Sequence, residues 1–221
     1  LVVGACVHAF GWRDDDWDRL AGATVAGHLL ECGTQVTGGI STDWLDLPDP
    51  AHIGFPVAEI DRAGRCVITK PPRSGGAVTV ATVKEQLVYE IGDPARYVSP
   101  DVCVSFLELE VEQLAADRVA VRGARGAPRP PTLKVSATHR DGFRAAGTLT
   151  IVGANAREKA ERCGGIVLGR LAEAGHAYRD TLVECLGQGE SVPVAGILAP
   201  GDGGRETVMR IAVEAESRAA A

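Results

Sequence analysis

Three residues with reactive side chains stand at helical spacing in the first part of the chain: His28, Glu31 and Cys32. Residues three and four positions apart on a helix share one face. An imidazole, a carboxylate and a thiol on one face can transfer protons, activate the thiol as a nucleophile or bind a divalent metal ion. In the plainer alternative, His28 is a hydrogen-bonded helix residue, Glu31 is a solvated charge and Cys32 is a small core residue. Both interpretations stay open.

A glycine-rich segment follows directly. Glycine lets the backbone approach a ligand closely, and successive backbone amides can bind an anion. If the substrate carries a carbonyl group, amides around Gly38 and Gly39 would stabilise a developing enolate. The segment therefore predicts ligand-binding residues at Gly33, Gln35, Thr37, Gly38 and Gly39.

A second candidate binding segment carries two basic residues and two glycines before a helix that starts near Thr79. Positive charge, flexible backbone and a helix N-terminus together suit a phosphate group, such as those of coenzyme A. The spacing is not that of a Walker loop, and a plain surface turn is the alternative. The predicted phosphate ligands are Lys70, Arg73, Gly75 and Gly76.

A third candidate lies on the helix that follows. Glu85 and Tyr89 are four residues apart, so on a helix they share a face and can act as acid and base. The alternative is that both residues only cap and pack the helix.

The apolar spacing and the turn residues predict an α/β or α+β fold, with a mixed sheet, two long helices, hairpins and Gly/Pro-rich loops. Asp14 or Asp15 is the expected N-cap of the first helix, and Gly64 the expected turn glycine of a hairpin. The adjacent Gly164 and Gly165 indicate close packing or a kink in the last helix. Helices are predicted at 14–33, 80–91 and 154–174, and an irregular connection at 38–56. The predicted strands are 55–60, 65–70, 102–114, 118–123, 132–139, 145–152, 178–186 and 206–214. A Gly-rich loop is expected to join the last two strands. Residues 1–152 are expected to form the main domain. Residues 153–221 are expected to form a helix with strands, either as part of the same domain or as a small α+β subdomain.

Composition narrows the class of protein. The net charge of −6 and the low aromatic content of 5% argue against nucleic-acid binding. There is no apolar run long enough to predict a membrane span. Six cysteines without a C-x-x-C pair indicate reduced thiols and a cytoplasmic protein. Because the chain begins at Leu1, inside an apolar segment, we expect it to be a fragment of a longer protein.

Several stretches in combination resemble one known family, the acyclic terpene utilisation protein A proteins. The resemblance implies a longer parent protein that acts in the catabolism of branched terpenoid or related acids as coenzyme A thioesters. It supplies no catalytic residues. The stretches are Phe10-Gly11-Trp12, Asp16-Trp17-Asp18, Ala26 to Gly33, Thr37-Gly38-Gly39, Ile53 to Glu59, Thr69-Lys70-Pro71, Glu85-Gln86-Leu87, Tyr89 to Pro94, Gly123 to Gly126 and Leu133 to Ser136.

The leading hypothesis is an enzyme that performs a lyase or hydratase step on an acyl-CoA or related carboxylate, with Glu31 or His28 as acid or base. The sequence identifies no cofactor, and a coenzyme A thioester is the candidate substrate. The alternatives are a non-catalytic scaffold with an interface at Trp12, Trp17 and Trp44, and a metal-dependent hydrolase built on His28, Glu31 and Cys32. We expect a homo-oligomer or a complex with another enzyme subunit.

Overall fold

The structure, a computed structural model, describes residues 1–187 and 205–220. The chain divides into two compact units, Leu1–Val135 and Ser136–Ala221. Within the described residues, every named strand pairs antiparallel with its neighbours, in three separate sheets. The predicted mixture of helices and strands is confirmed. None of the described helices has both the length and the apolar character needed to cross a bilayer.

The first unit combines three helices with two sheets. One sheet has the strand order β1-β2-β6-β5 and the other β3-β4-β7. The elements are α1 Val2–Phe10, α2 Trp17–Glu31, β1 Val57–Ile60, β2 Cys66–Thr69, α3 Val80–Val88, β3 Tyr97–Val98, β4 Cys103–Ser105, β5 Glu110–Ala115, β6 Arg118–Arg122 and β7 Arg125–Ala127.

Helix α2 lies at the centre of this unit. Most of its residues are buried, and they share one hydrophobic core with residues of both sheets. The predicted first helix is confirmed, but its N-cap is Asp16 and not Asp14 or Asp15. Gly33 follows the helix with a φ of 58°, the left-handed conformation that glycine accepts at this position. Gly22 allows the close approach of the hairpin turn, since a Cβ there would lie 1.9 Å from the carbonyl oxygen of Gly64.

The hairpin of β1 and β2 is confirmed, with Gly64 at a φ of 82°. The predicted elements need four corrections. The strand predicted at 102–114 is two strands, β4 and β5, and α3 ends at Val88 instead of residue 91. A further strand, β7, lies between the strands predicted at 118–123 and 132–139. Residues 132–139 form no strand, because their side chains are exposed and no neighbouring strand pairs with them in the described structure.

The second unit packs one helix on a three-stranded sheet. The elements are β8 Phe143–Val152, α4 Ala156–Glu173, β9 Asp180–Leu186 and β10 Glu206–Ala215. The strand order is β8-β10-β9, and both outer strands are antiparallel to β10, so they run parallel to each other and α4 lies in the connection between them. A Cβ on Gly164 would lie 2.5 Å from the Val183 side chain, which confirms the predicted close packing. The predicted Gly-rich connection falls on residues 188–204, outside the described residues.

Candidate functional site

The last turn of α2 brings two of the predicted residues into contact. The Nδ1 atom of His28 lies 2.7 Å from Oε1 of Glu31, as their spacing of three residues predicts. The His28 side chain is 2% exposed, whereas that of Glu31 is 50% exposed. A carboxylate beside Nδ1 favours the tautomer that carries its proton there. The Glu31 carboxylate is therefore accessible from solvent, whereas the His28 ring is buried.

Two aromatic rings from later in the chain enclose His28. The ring centroid of Tyr97 lies 6.1 Å from that of His28, and Phe106 packs edge-on at 6.0 Å. Nε2 of His28 is buried without a hydrogen-bond partner among the described residues. Leaving a buried polar atom unpaired costs about 1–3 kcal/mol, so such atoms require an explanation in strain or function.

A glutamine of α3 anchors the backbone at the same residue. The Nε2 amide of Gln86 donates to the carbonyl oxygen of His28 at 2.8 Å, and the glutamine is fully buried. Its Oε1 atom also has no partner among the described residues. The amide therefore holds α3 against α2, and fixes the turn that carries the His28–Glu31 pair.

A cleft with a volume of about 570 Å³ opens beside this pair. Most of its apolar lining comes from α1 and α2, and its polar lining from α2 and the segment after β3. The lining residues are Leu1, Val2, Val3, Ala23, Gly27, Leu30 and Pro100, with Thr24, His28, Glu31, Tyr97, Ser99 and Asp101. This acid-base pair beside a hydrocarbon-lined space can act on an apolar molecule.

Tyr97 lines the cleft and carries a hydroxyl group. Burial raises the pKa of Tyr97, and the negative charges of Glu31 and Glu90 raise it further. The hydroxyl group therefore keeps its proton in the neutral range and remains a hydrogen-bond donor. Sequence reasoning missed Tyr97 because 69 residues separate it from His28, and only the fold brings them together.

The other predicted acid-base residues lie away from the cleft. Cys32 is the C-cap of α2 and does not line the cleft. Tyr89 follows the end of α3 in extended conformation, so it does not share a helix face with Glu85. The pKa of Tyr89 is raised by Glu90 first and by Cys32 second. In the described part of the chain, no group of three or more His, Cys, Asp and Glu side chains is placed to hold a metal ion.

The first glycine-rich segment uses its polar groups within the chain. The amide of Gly38 donates to Gln35 O at 2.9 Å, and that of Gly39 donates to Thr34 O at 2.7 Å. The buried hydroxyl of Thr37 lies 2.7 Å from Gly54 O and 3.0 Å from Thr34 O. Gln35 is also buried, and Gly33 packs against the ring of Phe55. The amides expected to stabilise an enolate are therefore already bonded.

Most of the predicted phosphate ligands in the second glycine-rich segment are also bonded within the chain. Lys70 Nζ donates to Ser74 O at 2.6 Å and pairs with Asp117 at 3.3 Å. The amide of Gly75 donates to His52 O at 2.7 Å, and that of Gly76 to Pro48 O at 2.8 Å. Of the predicted phosphate ligands, only Arg73 has an exposed side chain that forms no hydrogen bond or ion pair within the described residues.

The two glycine-rich segments are also hydrogen-bonded to each other. The amide of Ala77 donates to Thr37 O at 2.9 Å, which ties the segment 70–77 to the segment 33–39. We call residues 33–39, 48–54 and 70–77 the interlocked loops. The N-terminus of α3 that follows is capped by the chain itself, since Thr79 Oγ1 accepts from the amide of Thr82 and Gln113 Oε1 accepts from that of Val80.

The three tryptophans do not form one exposed cluster. Trp12 is buried, and its Nε1 donates to the carbonyl oxygen of Arg62 at 3.0 Å. Trp17 is half-buried, and Trp44 is 42% exposed. Of the three tryptophans, only Trp44 is therefore exposed to a partner.

Comparison with known proteins connects this geometry to a family. The sequence model of the acyclic terpene utilisation family protein AtuA matches residues 1–221, the whole of the chain. No curated protein and no solved structure matches the chain.

Proposed function

Because the chain belongs to the AtuA family of acyclic terpene utilisation proteins along its whole length, we propose that it is an enzyme of branched or terpenoid acid catabolism. Its substrate is an acyl-CoA or a related carboxylate, and its reaction is a lyase or hydratase step. One observation carries this proposal: the half-exposed carboxylate of Glu31 is held by the buried His28 at 2.7 Å, in a cleft with an apolar lining.

The reaction needs a positioned base. In the elimination of water from a 3-hydroxyacyl thioester, a base takes the proton from the carbon next to the carbonyl group. The electron pair forms the double bond, and the hydroxyl group leaves with a proton as water. Glu31 can take the first proton and return one to the leaving oxygen, which is the role of a general acid-base residue. Hydration is the same sequence in reverse.

His28 is a positioning residue in this scheme. Its Nδ1–H donates to Glu31 and fixes the carboxylate, while the packing of Tyr97 and Phe106 fixes the ring. The hydroxyl group of Tyr97, kept protonated by burial and by Glu31, is a donor for a carbonyl oxygen in the cleft. This assigns to Tyr97 the task that the sequence assigned to the amides of Gly38 and Gly39.

The test is a direct assay of the chain with a panel of branched 2-enoyl-CoA and 3-hydroxyacyl-CoA thioesters, read by mass spectrometry as gain or loss of one water. The Glu31→Gln variant is expected to lose activity by about 100-fold or more, the contribution typical of an acid-base residue. Glu85→Gln is the matched control, because Glu85 is a half-buried glutamate that does not line the cleft.

Activity of Glu85→Gln should stay within about twofold of the wild type, as for substitutions away from a site. A Glu31→Gln variant that converts substrate at the wild-type rate would overturn the role of Glu31. A wild-type chain that changes no thioester of the panel would overturn the proposed reaction.

The second candidate is a non-catalytic scaffold or subunit of an acyl-CoA-processing complex. It is favoured by the exposed apolar side chains of Trp44, Leu45 and Phe55 in the connection between α2 and β1, since exposed apolar groups close in sequence can mark an interface. Light scattering after size-exclusion chromatography tests it. Loss of an oligomer or complex in Leu45→Ser, but not in Leu133→Ser at another exposed leucine, would favour the scaffold. A monomeric wild type would remove it.

A further inference from the structure

Among the described residues, the Asp, Glu, Lys and Arg side chains that line the cleft are all acidic. Glu31 and Asp101 contribute carboxylates, and none of the described residues that line it is Lys or Arg. A guanidinium group lies nearby, because Arg129 donates to Pro100 O at 3.3 Å, but Arg129 lines a neighbouring cleft. Within the part of the chain that the structure describes, no Lys or Arg side chain therefore lies inside this cleft to neutralise a bound anion.

An anion in such a place loses hydration and gains repulsion. Water is partly excluded by the apolar side chains of α1 and α2, and a second negative charge would lie beside Glu31 or Asp101. The tyrosine of the cleft shows the same effect, since both burial and the charge of Glu31 disfavour its ionised form. A bound carboxylate would meet the same two penalties.

We infer that the cleft binds the acyl end of its substrate with the carboxyl group blocked as a neutral thioester, and that it discriminates against the free branched acid. This inference rests on the proposed function and narrows its substrate class from an acyl-CoA or carboxylate to the thioester. The discrimination comes from repulsion of the wrong ligand, as well as from contacts with the right one.

The experiment compares a charged and a neutral ligand with the same acyl chain and nearly the same size: 4-methylpentanoic acid and its S-methyl thioester. Binding to the chain is measured by calorimetry at neutral pH. For this measurement the chain is produced with an added N-terminal extension. The nitrogen of Leu1 is then a peptide amide and adds no positive charge beside the cleft. The thioester is expected to bind at least about tenfold more tightly than the acid, because like charges a few ångströms apart repel strongly at a partly dry site.

Variants identify the cause of the difference. Glu31→Gln and Asp101→Asn each remove one negative charge and keep the shape of the side chain. Each is expected to tighten binding of the acid by about threefold or more, and to change binding of the thioester by less than about twofold. Glu85→Gln is the control, and should change the binding of neither ligand.

The outcomes separate this inference from the proposed function. Tighter binding of the thioester, with the gap reduced in Glu31→Gln or Asp101→Asn, would support the inference. Binding of the free acid as tightly as the thioester, or a gap that neither variant reduces, would overturn it and leave the role of Glu31 standing. If neither ligand binds, both the inference and the cleft as the substrate site are wrong.

Discussion

The sequence predicts functional residues both in the last turn of α2, beside the cleft, and in the glycine-rich segments of the interlocked loops. In the structure, the polar groups of these two regions are bonded differently. In the cleft, Nε2 of His28 has no partner in the described structure and Glu31 is half exposed. In the interlocked loops, the amides of Gly38, Gly39, Gly75 and Gly76 all donate to carbonyl oxygens of the chain. Glycine-rich sequence thus serves close packing here, whereas exposed and unpaired polar groups mark the site.

The comparison predicts that substitutions in the interlocked loops damage folding, whereas substitution of Glu31 damages function. All three tryptophans, at positions 12, 17 and 44, lie in the first unit, so their fluorescence reports the unfolding of that unit. Urea titration followed by fluorescence therefore measures the free energy of unfolding of the unit that contains both regions.

The largest effect on folding is expected for Gly75→Ala. A Cβ at this position would lie 1.9 Å from the carbonyl oxygen of Asp49, so the backbone of two loops must move. We expect the free energy of unfolding to fall by about 2–3 kcal/mol, the cost typical of overpacking. Gly92→Ala is the control, because a Cβ there has nothing within 4 Å. Equal stability of the two variants would contradict the close packing of the loops.

A smaller loss is expected for Thr37→Val, which keeps the shape of the side chain and removes its hydroxyl group. That hydroxyl contacts Gly54 O and Thr34 O in a buried position. The predicted loss is about 1–3 kcal/mol, measured by the same urea titration. Thr37→Ser keeps the hydroxyl group and loses one methyl group, which should cost about 0.8 kcal/mol. Wild-type stability of Thr37→Val would show that the hydroxyl does not tie the loops.

The smallest effect is expected for Arg73→Ala. The Arg73 side chain is exposed, so the free energy of unfolding should change by less than about 0.5 kcal/mol. The affinity of the chain for an acyl-CoA should change by less than about twofold. A tenfold loss of affinity, equivalent to about 1.4 kcal/mol, would instead assign Arg73 to the phosphates of coenzyme A and break the comparison.

Local pattern was sufficient for much of the fold. The helix spacing around Leu20, Val25 and Leu29, and the turn glycine Gly64, predict α2 and the first hairpin, because each depends on neighbours within a few residues. The strand expected at 132–139 fails because the alternation of Leu133 and Val135 finds no strand to pair with in the described structure. Strand pairing is a long-range property, which an isolated pattern does not contain.

In the candidate site, too, local contacts could be predicted from the sequence and long-range contacts could not. The contact between His28 and Glu31 follows from helical spacing alone, and the structure confirms it. Tyr97 and Gln86 reach His28 only through the fold, since they lie 69 and 58 residues further along the chain. The bonds that occupy Gly75 and Gly76 come from carbonyl groups of His52 and Pro48, more than 20 residues away, and a glycine-rich pattern cannot reveal them.

Photo-crosslinking tests the central claim, that the cleft and not the interlocked loops binds the acyl chain, most directly. A branched acyl thioester that carries a diazirine on its chain would be irradiated with the wild-type protein, and the labelled residues mapped by peptide mass spectrometry. We predict labels within 23–31 and 97–101, reduced by an excess of the unmodified thioester. Labels confined to 33–39 or 70–77 would contradict the account.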